Sequence, residues 1–314
     1  MTEELQVPPA EFESYYGRPI LKVTRWREPH LPAYLFLGEL SGAAAVLGVA
    51  AGLTGRPKLA SAGRLVAAGA AAGGAAFLTA ELGRPERFLN MLRVVKPTSP
   101  MSMGSWILVS HSGLTTAAAA SSVTGRLRWL GTAAGAASAI TGPLLAAYPG
   151  VLLSNTAVPA WHSSLRELPV LFAGGALTAA AAAGLVAGAL SGDPADLGPV
   201  QRLALVGAAV EAGAEFAIER RSDVAAEPYH QGDAGRLLRG ARLTTALGAV
   251  TALAARRSRI AAVTSAALLA GGGLCAKYAV LRAGVESARN PKYIVQTQTN
   301  PTGSPKPSET PAAR

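Results

Sequence analysis

Charge is scarce in this chain. Only 15% of its 314 residues are charged, against about 25% in a typical soluble domain. Cysteine is scarcer still. Cys275 stands alone, which excludes a disulfide framework and an internal iron–sulfur cluster, since a cluster takes about four thiolates. The chain has four histidines, and none pair at a matching depth to favour a haem. No catalytic constellation and no metal-ligand cluster stands out. Aromatics are 5% of the residues, and no basic stripe interleaves with them, so the net charge of +10 does not read as nucleic-acid binding. The Arg and Lys residues sit instead between apolar blocks, where loops meet lipid headgroups.

Those blocks are what the sequence does have. Half of the residues are apolar, gathered in runs long enough to match the roughly 20 residues that cross a bilayer. The runs are rich in Ala, Gly, Leu and Val, with short Pro, Gly or Arg punctuation. The reading is an all-α polytopic membrane protein of about eight transmembrane helices, arranged as two four-helix bundles. Residues 1–30 form a polar arm containing Tyr15-Tyr16-Gly17-Arg18-Pro19. It is too polar and mixed in charge for a cleaved signal peptide. Residues 31–285 carry the spans, and 286–314 read as a disordered tail rich in Pro, Ser and Thr.

The spans are expected near 31–53, 62–80, 105–123, 129–148, 168–190, 200–218, 241–255 and 260–281, the fourth interrupted by Gly142-Pro143. Between the second and third, residues 85–95 place Phe88, Leu89, Leu92 and Val95 on one face. That pattern suits a helix lying in the membrane interface. Small residues four apart (Gly38/Gly42, Gly69/Gly73, Gly131/Gly135, Gly184/Gly188) suit close helix packing in lipid.

Eight spans put both termini on one side, the N side. Following the chain in and out, the unusual residues collect there: Arg27, Glu28 and His30 before span 1; Glu81, Arg84, Arg87, Arg93 and Lys96 after span 2; Trp106 opening span 3; Tyr148 closing span 4; Trp161 and His162 in the next loop. The opposite side has short turns. Ionisable groups inside spans are costly and mark function or pairing. Glu39, Glu211 and Lys277 are such groups, and Glu211, Glu215 and Glu219 share one helix face. That row reads either as a proton path or as local pairing with Arg220, Arg221 or Lys277. His111, inside span 3, reads as a hydrogen-bonded packing residue.

The stretch from Glu81-Leu82-Gly83-Arg84-Pro85-Glu86-Arg87-Phe88 through Pro100-Met101-Ser102-Met103-Gly104-Ser105-Trp106 resembles a hallmark of the NrfD family, the polysulfide-reductase membrane subunits. Tyr34-Leu35-Phe36-Leu37-Gly38-Glu39-Leu40-Ser41-Gly42 and Tyr148-Pro149-Gly150-Val151-Leu152-Leu153-Ser154 agree with it. The resemblance covers most of the first 170 or so residues. It implies a subunit without haem that anchors a four-cluster ferredoxin-like iron–sulfur protein, usually joined to a molybdopterin catalytic subunit, in the cell membrane. It also implies a quinone or menaquinone site near the docking face, with His30 and Tyr148 at the matching positions and Arg27 three residues before the histidine. Arg84, Arg87, Arg93, Lys96 and Trp106 are the expected docking residues; Glu39, Glu81, Glu211, Glu215 and Lys277 are the expected proton path or buried charges.

The residues agree with that implication. Quinone reduction takes two electrons and two protons, and an imidazole and a phenol can supply donors to its carbonyls. A chain with one thiol and no haem pair needs a partner to bring electrons. Arg27, where relatives favour a neutral amide, and Glu39, where glycine is common, would suit a structural anchor without a quinone site. A secondary transporter would need helices broken at the midplane, and the breaks here fall near span ends. A haem cytochrome is the remaining alternative.

Overall fold

The computed structural model describes residues 20–21, 26–84, 86–221 and 223–299. The tyrosine pair of the arm, Pro85 and the tail beyond 299 lie outside the described residues. The protein is an all-α polytopic membrane protein, with no strand among the described residues. Its long helices are α1 (His30–Leu53), α2 (Pro57–Glu81), α4 (Pro100–Thr124), α5 (Arg128–Ser154), α7 (Glu167–Ser191), α8 (Pro194–Glu219), α10 (Gly232–Ala252) and α11 (Arg259–Arg289). Between them lie the short helices α3 (Glu86–Met91), α6 (Pro159–Ser163) and α9 (Glu227–His230), and α12 (Pro291–Thr299) follows the last. Five of the long helices, α1, α2, α5, α7 and α11, are apolar enough by composition to cross a membrane. The other three have the length, but α8 and α10 carry charges and α4 many hydroxyls.

Local chemistry sets the ends. Proline opens α2, α4 and α8, where a missing N–H costs nothing. The side chains of Ser99, Asp193 and Ser258 accept from the free backbone N–H groups of α4, α8 and α11. Gly125 and Gly192, at φ 68° and 72°, close α4 and α7 in the left-handed conformation that glycine alone adopts without strain.

Several boundaries differ from the sequence-based expectation. Helix α5 runs unbroken through Pro143 and Pro149 to Ser154, since packed neighbours compensate a proline in membrane helices. Helix α10 begins nine residues before the expected start, because Arg236, Arg239 and Arg242 lie on its surface rather than in a loop. The interfacial helix stops at Met91. Beyond it, Val94 is held by α4: its carbonyl accepts from Ser102 Oγ at 2.8 Å and from the Trp106 indole at 3.4 Å. Residues 286–299, expected to be disordered, are helical as the end of α11 and as α12.

Helices α1, α2, α4 and α5 close one four-helix ring, and α7, α8, α10 and α11 close the other. The two meet along α1 and α7, flanked by α5 and α11. Small residues make the contacts. A Cβ on Gly42 would lie 2.2 Å from the Gly142 carbonyl oxygen, and one on Gly63 would lie 2.7 Å from the Gly48 Cα. Large apolar side chains such as Leu53, Ile140, Leu190, Val250 and Ile260 face outward, as expected where lipid replaces water. Among the glycine pairs read as packing sites, Gly42, Gly131, Gly184 and Gly188 have no room for a side chain, whereas Gly38 and Gly69 stand open.

Candidate functional site

The N-side end of the first bundle gathers the predicted polar residues. His30 is the first residue of α1 and half-buried. Its Nδ1 lies 3.8 Å from Glu81 Oε2, at the end of α2, and its ring meets Phe77 edge-on at 6.2 Å. The other Glu81 oxygen accepts the Arg27 backbone N–H at 2.9 Å. Arg27 therefore contributes its main chain to this corner, and its side chain is exposed. Tyr34, one turn below His30 on the same face of α1, is buried. Tyr148, on α5, rests on Gly104 of α4: a Cβ there would fall inside the phenol ring. Sequence reasoning passed over Tyr34, although its four-residue spacing from His30 was legible.

Above this corner Arg84, the polar face of α3 and residues 93–96 reach the surface, while Phe88 packs against the core. Arg84, Arg87, Arg93 and Lys96 all point to solvent, and none has an ion-pair partner among the described residues. Trp106 is half-buried and tied to that loop through its indole.

A second cluster lies deeper. Glu39 sits nine residues into α1, about 14 Å below His30 at 1.5 Å per residue. Glu39 Oε1 is 2.8 Å from Lys277 Nζ of α11, and both side chains are fully buried. The ammonium also lies 4.2 Å from the centre of the Phe172 ring. Space for the pair comes from Gly175, where a Cβ would lie 2.9 Å from Lys277 Nζ. Glu211 of α8 accepts from the Thr178 hydroxyl at 3.3 Å and is itself buried. One turn toward the N side, Glu215 Oε2 accepts from Arg242 Nε at 2.8 Å, and Arg242 Nη2 is also 2.8 Å from Glu219 Oε1. Of the local partners weighed for this row, neither Arg220 nor Arg221 pairs with it, and Lys277 pairs with Glu39. Arg220 lies over the Phe216 ring, and Arg221 binds Glu167 and Asp223. Arg242 was missed because its run of arginines reads as a loop, although the three-residue spacing of Arg236, Arg239 and Arg242 was a helical signal.

His111 is a structural link. Its Nε2 is 3.0 Å from Ser41 Oγ and its Nδ1 2.9 Å from Thr141 Oγ1, while Ser41 donates to the Ala67 carbonyl. That network fits the Nε2–H tautomer and ties four helices together. His162 Nδ1 lies 3.1 Å from the Ser154 carbonyl oxygen. Among the described residues no group of His, Cys, Asp and Glu is arranged to hold a metal.

The same face carries a polar groove of about 670 Å³ at the end of the second bundle, lined by Trp26, Glu28, Asp233, Arg282, Arg289 and Tyr293 among others. Arg282 binds Glu28 through two hydrogen bonds of 2.7 and 2.8 Å. Those bonds hold the Glu28 carboxyl below its ordinary value, against a smaller opposing effect of burial. Trp26 stacks at 5.3 Å on Trp161, a fully buried residue whose indole donates to the Val280 carbonyl at 2.7 Å. The segment before α1 is thereby stitched to α11.

Comparison with known families identifies the frame for these clusters. The family described as Polysulphide reductase, NrfD, matches residues 24–218. The chain belongs to the NrfD family. No curated protein matches it significantly. NrfD proteins are integral membrane subunits of polysulfide reductase and related complexes, and in general partner iron–sulfur and molybdopterin catalytic subunits. The matched region takes in the whole first bundle with α7 and α8. Lys277 and Arg242, which complete the buried cluster, lie beyond it.

Proposed function

We propose that this NrfD chain exchanges electrons between an iron–sulfur partner and quinone in the plasma membrane. The observation that carries the reading is the juxtaposition of a half-buried His30–Glu81 pair with a loop of unpaired basic side chains directly above it. A docked iron–sulfur protein with acidic side chains would be held by Arg84, Arg87, Arg93 and Lys96, which brings its nearest cluster to the mouth of the first bundle. The residues there suit a quinone. His30 and Tyr148 can donate to carbonyl oxygens, while Phe77 supplies an apolar wall.

In quinone reduction two electrons arrive from the partner and two protons from the protein. Glu81, 3.8 Å from the His30 ring, is close enough to attract the imidazolium and to relay a proton from the surface to it. Deeper, Glu39 is paired with the ammonium of Lys277, and Glu211, buried on α8, has no ion-pair partner among the described residues. From Glu211 the row continues through Glu215 to Glu219, about 12 Å along α8 at 1.5 Å per residue, with Arg242, which keeps its charge, holding the last two carboxylates. This row is the proton path of the proposal.

A purely structural anchor is favoured by one feature, since the Glu39–Lys277 pair also bolts the two bundles together. Turnover separates the two readings. His30→Ala and Tyr148→Phe should each lower quinone-dependent electron transfer about a hundredfold or more, with the subunit still in the membrane and still bound to its partners. Wild-type turnover in both variants would leave the anchor reading standing. Affinity purification from solubilised membranes, with partner subunits, metals and extracted quinone assayed together, would name the complex.

A further inference from the structure

At the opposite end of the first bundle a cleft of about 420 Å³ opens between the α1–α2 turn and the α4–α5 turn. Its lining includes Ser61 and Arg64 of α2, Ser121 and Ser122 of α4, and Arg128 and Thr132 of α5. Arg64 lies two turns inside α2, and its guanidinium runs inward between α1 and α5. A Cβ on Gly135 would lie 3.9 Å from Arg64 Nε and equally far from Val49. That Nε is shut off from solvent and has no hydrogen-bond partner. Neither Arg64 nor Arg128 makes an ion pair among the described residues. Ser122 already donates to Ser61 Oγ at 3.1 Å, which sets two hydroxyls side by side on the wall.

A buried guanidinium N–H without an acceptor is costly. The segments 52–64 and 121–132 contain Arg56, Lys58, Arg64, Arg126 and Arg128, and no acidic residue. The helix dipoles do not decide the sign, because α2 and α5 begin at this end while α1 and α4 finish there, so their terminal charges largely cancel. The field in the cleft is that of the arginines, and it calls for an anion. Its depth is marked by Trp129, which is 72% exposed beside Arg128. An outward tryptophan sits at headgroup level in a membrane. Leu53, Val123 and Leu127 are also exposed around the mouth, where acyl chains would cover them.

We infer that this cleft binds the phosphodiester headgroup of an anionic phospholipid, with Arg64 and Arg128 as the charge contacts and Ser61, whose oxygen already accepts from Ser122, as the hydroxyl donor. Basic pockets between spans recognise such headgroups by this chemistry. The site is independent of the redox chemistry on the other face.

The test is native mass spectrometry of the purified full chain, or of its complex, equilibrated in detergent with phosphatidylglycerol or with phosphatidylcholine. One phosphatidylglycerol should be retained over phosphatidylcholine. Arg64→Gln and Arg128→Gln should each weaken that retention about fivefold, the effect of one basic contact at a membrane surface. Arg126→Gln removes the same charge from an exposed neighbour outside the cleft and should change little. Arg128 is exposed, so its variant keeps the test decisive if Arg64→Gln fails to fold. Equal retention of the two lipids, or equal loss in the Arg126 variant, would overturn the inference. Inorganic phosphate displacing the lipid at millimolar concentration would show a free-anion site and overturn the lipid as its occupant.

Discussion

At the scale of single residues, the buried Glu39–Lys277 pair has the largest consequences. Each charge is fully buried, and each is tolerable only because the other is there. Lys277→Met strands Glu39 and should cost about 3–5 kcal/mol of stability, read as a lowered melting temperature in detergent. The double variant Lys277→Met/Glu39→Gln removes the imbalance and should recover most of that loss. A double variant as unstable as the single one would mean that the lysine acts through packing, including its contact with Phe172, rather than through charge. Glu28 offers a pH test outside the spans. Its folded-state carboxyl is held below its ordinary value by Arg282, so the tie contributes above the unfolded value and is lost as pH falls through the folded one. The pair is about a third exposed, so its worth is at most about 1 kcal/mol after screening. Acidification should loosen the segment before α1, seen as faster backbone exchange around Trp26, and Arg282→Gln should produce the same loosening at neutral pH.

At the scale of elements, glycine decides how closely helices approach. The α1–α5 crossing is made by Gly42 and Gly142, each lying where the other's Cβ would go. Gly42→Val must push these helices apart and should destabilise the protein by about 1–3 kcal/mol or more. Because α1 carries His30 and α5 carries Tyr148, the same substitution should, under the proposed function, also lower quinone turnover, whereas Gly69→Val, at an open position, should change neither. Both glycines sit in the same four-residue pattern, and the sequence alone could not tell them apart. A small-xxx-small pair says that close packing is available, while the rotation of the helix says whether it is used. The same limit explains α10. Its arginines look like a loop until Glu215 and Glu219 on α8 are known to face Arg242.

At the scale of the whole molecule, the two ends differ in kind. The N side carries the paired acids, the tryptophan stitch and the free basic loop, and the other end carries short turns and the arginine cleft. Partner docking on the N side should follow charge. Arg84→Glu with Arg87→Glu should reduce co-purification of the proposed iron–sulfur partner, and the wild-type association should weaken as salt rises, since exposed charges are screened over about 8–10 Å at physiological ionic strength. Undiminished association at high salt in the reversed-charge variant would move the docking surface to the groove around Glu28 and Arg282.

The sequence by itself determined that the chain is an all-α membrane protein and roughly where its long helices run. Apolar block length is a physical ruler for the bilayer, and the Pro, Gly and Arg punctuation between blocks marks where helices stop. Only the tertiary structure decided which charges meet. Blocks that are apolar on every face carry no signal for helix rotation, so nothing in the pattern could say that Glu39 turns toward Lys277 across the bundle seam, that Glu81 faces His30, or that Arg64 points inward without a partner. Those contacts follow from how two bundles close and lean on each other, through small residues whose spacing permits many rotations and whose packing selects one.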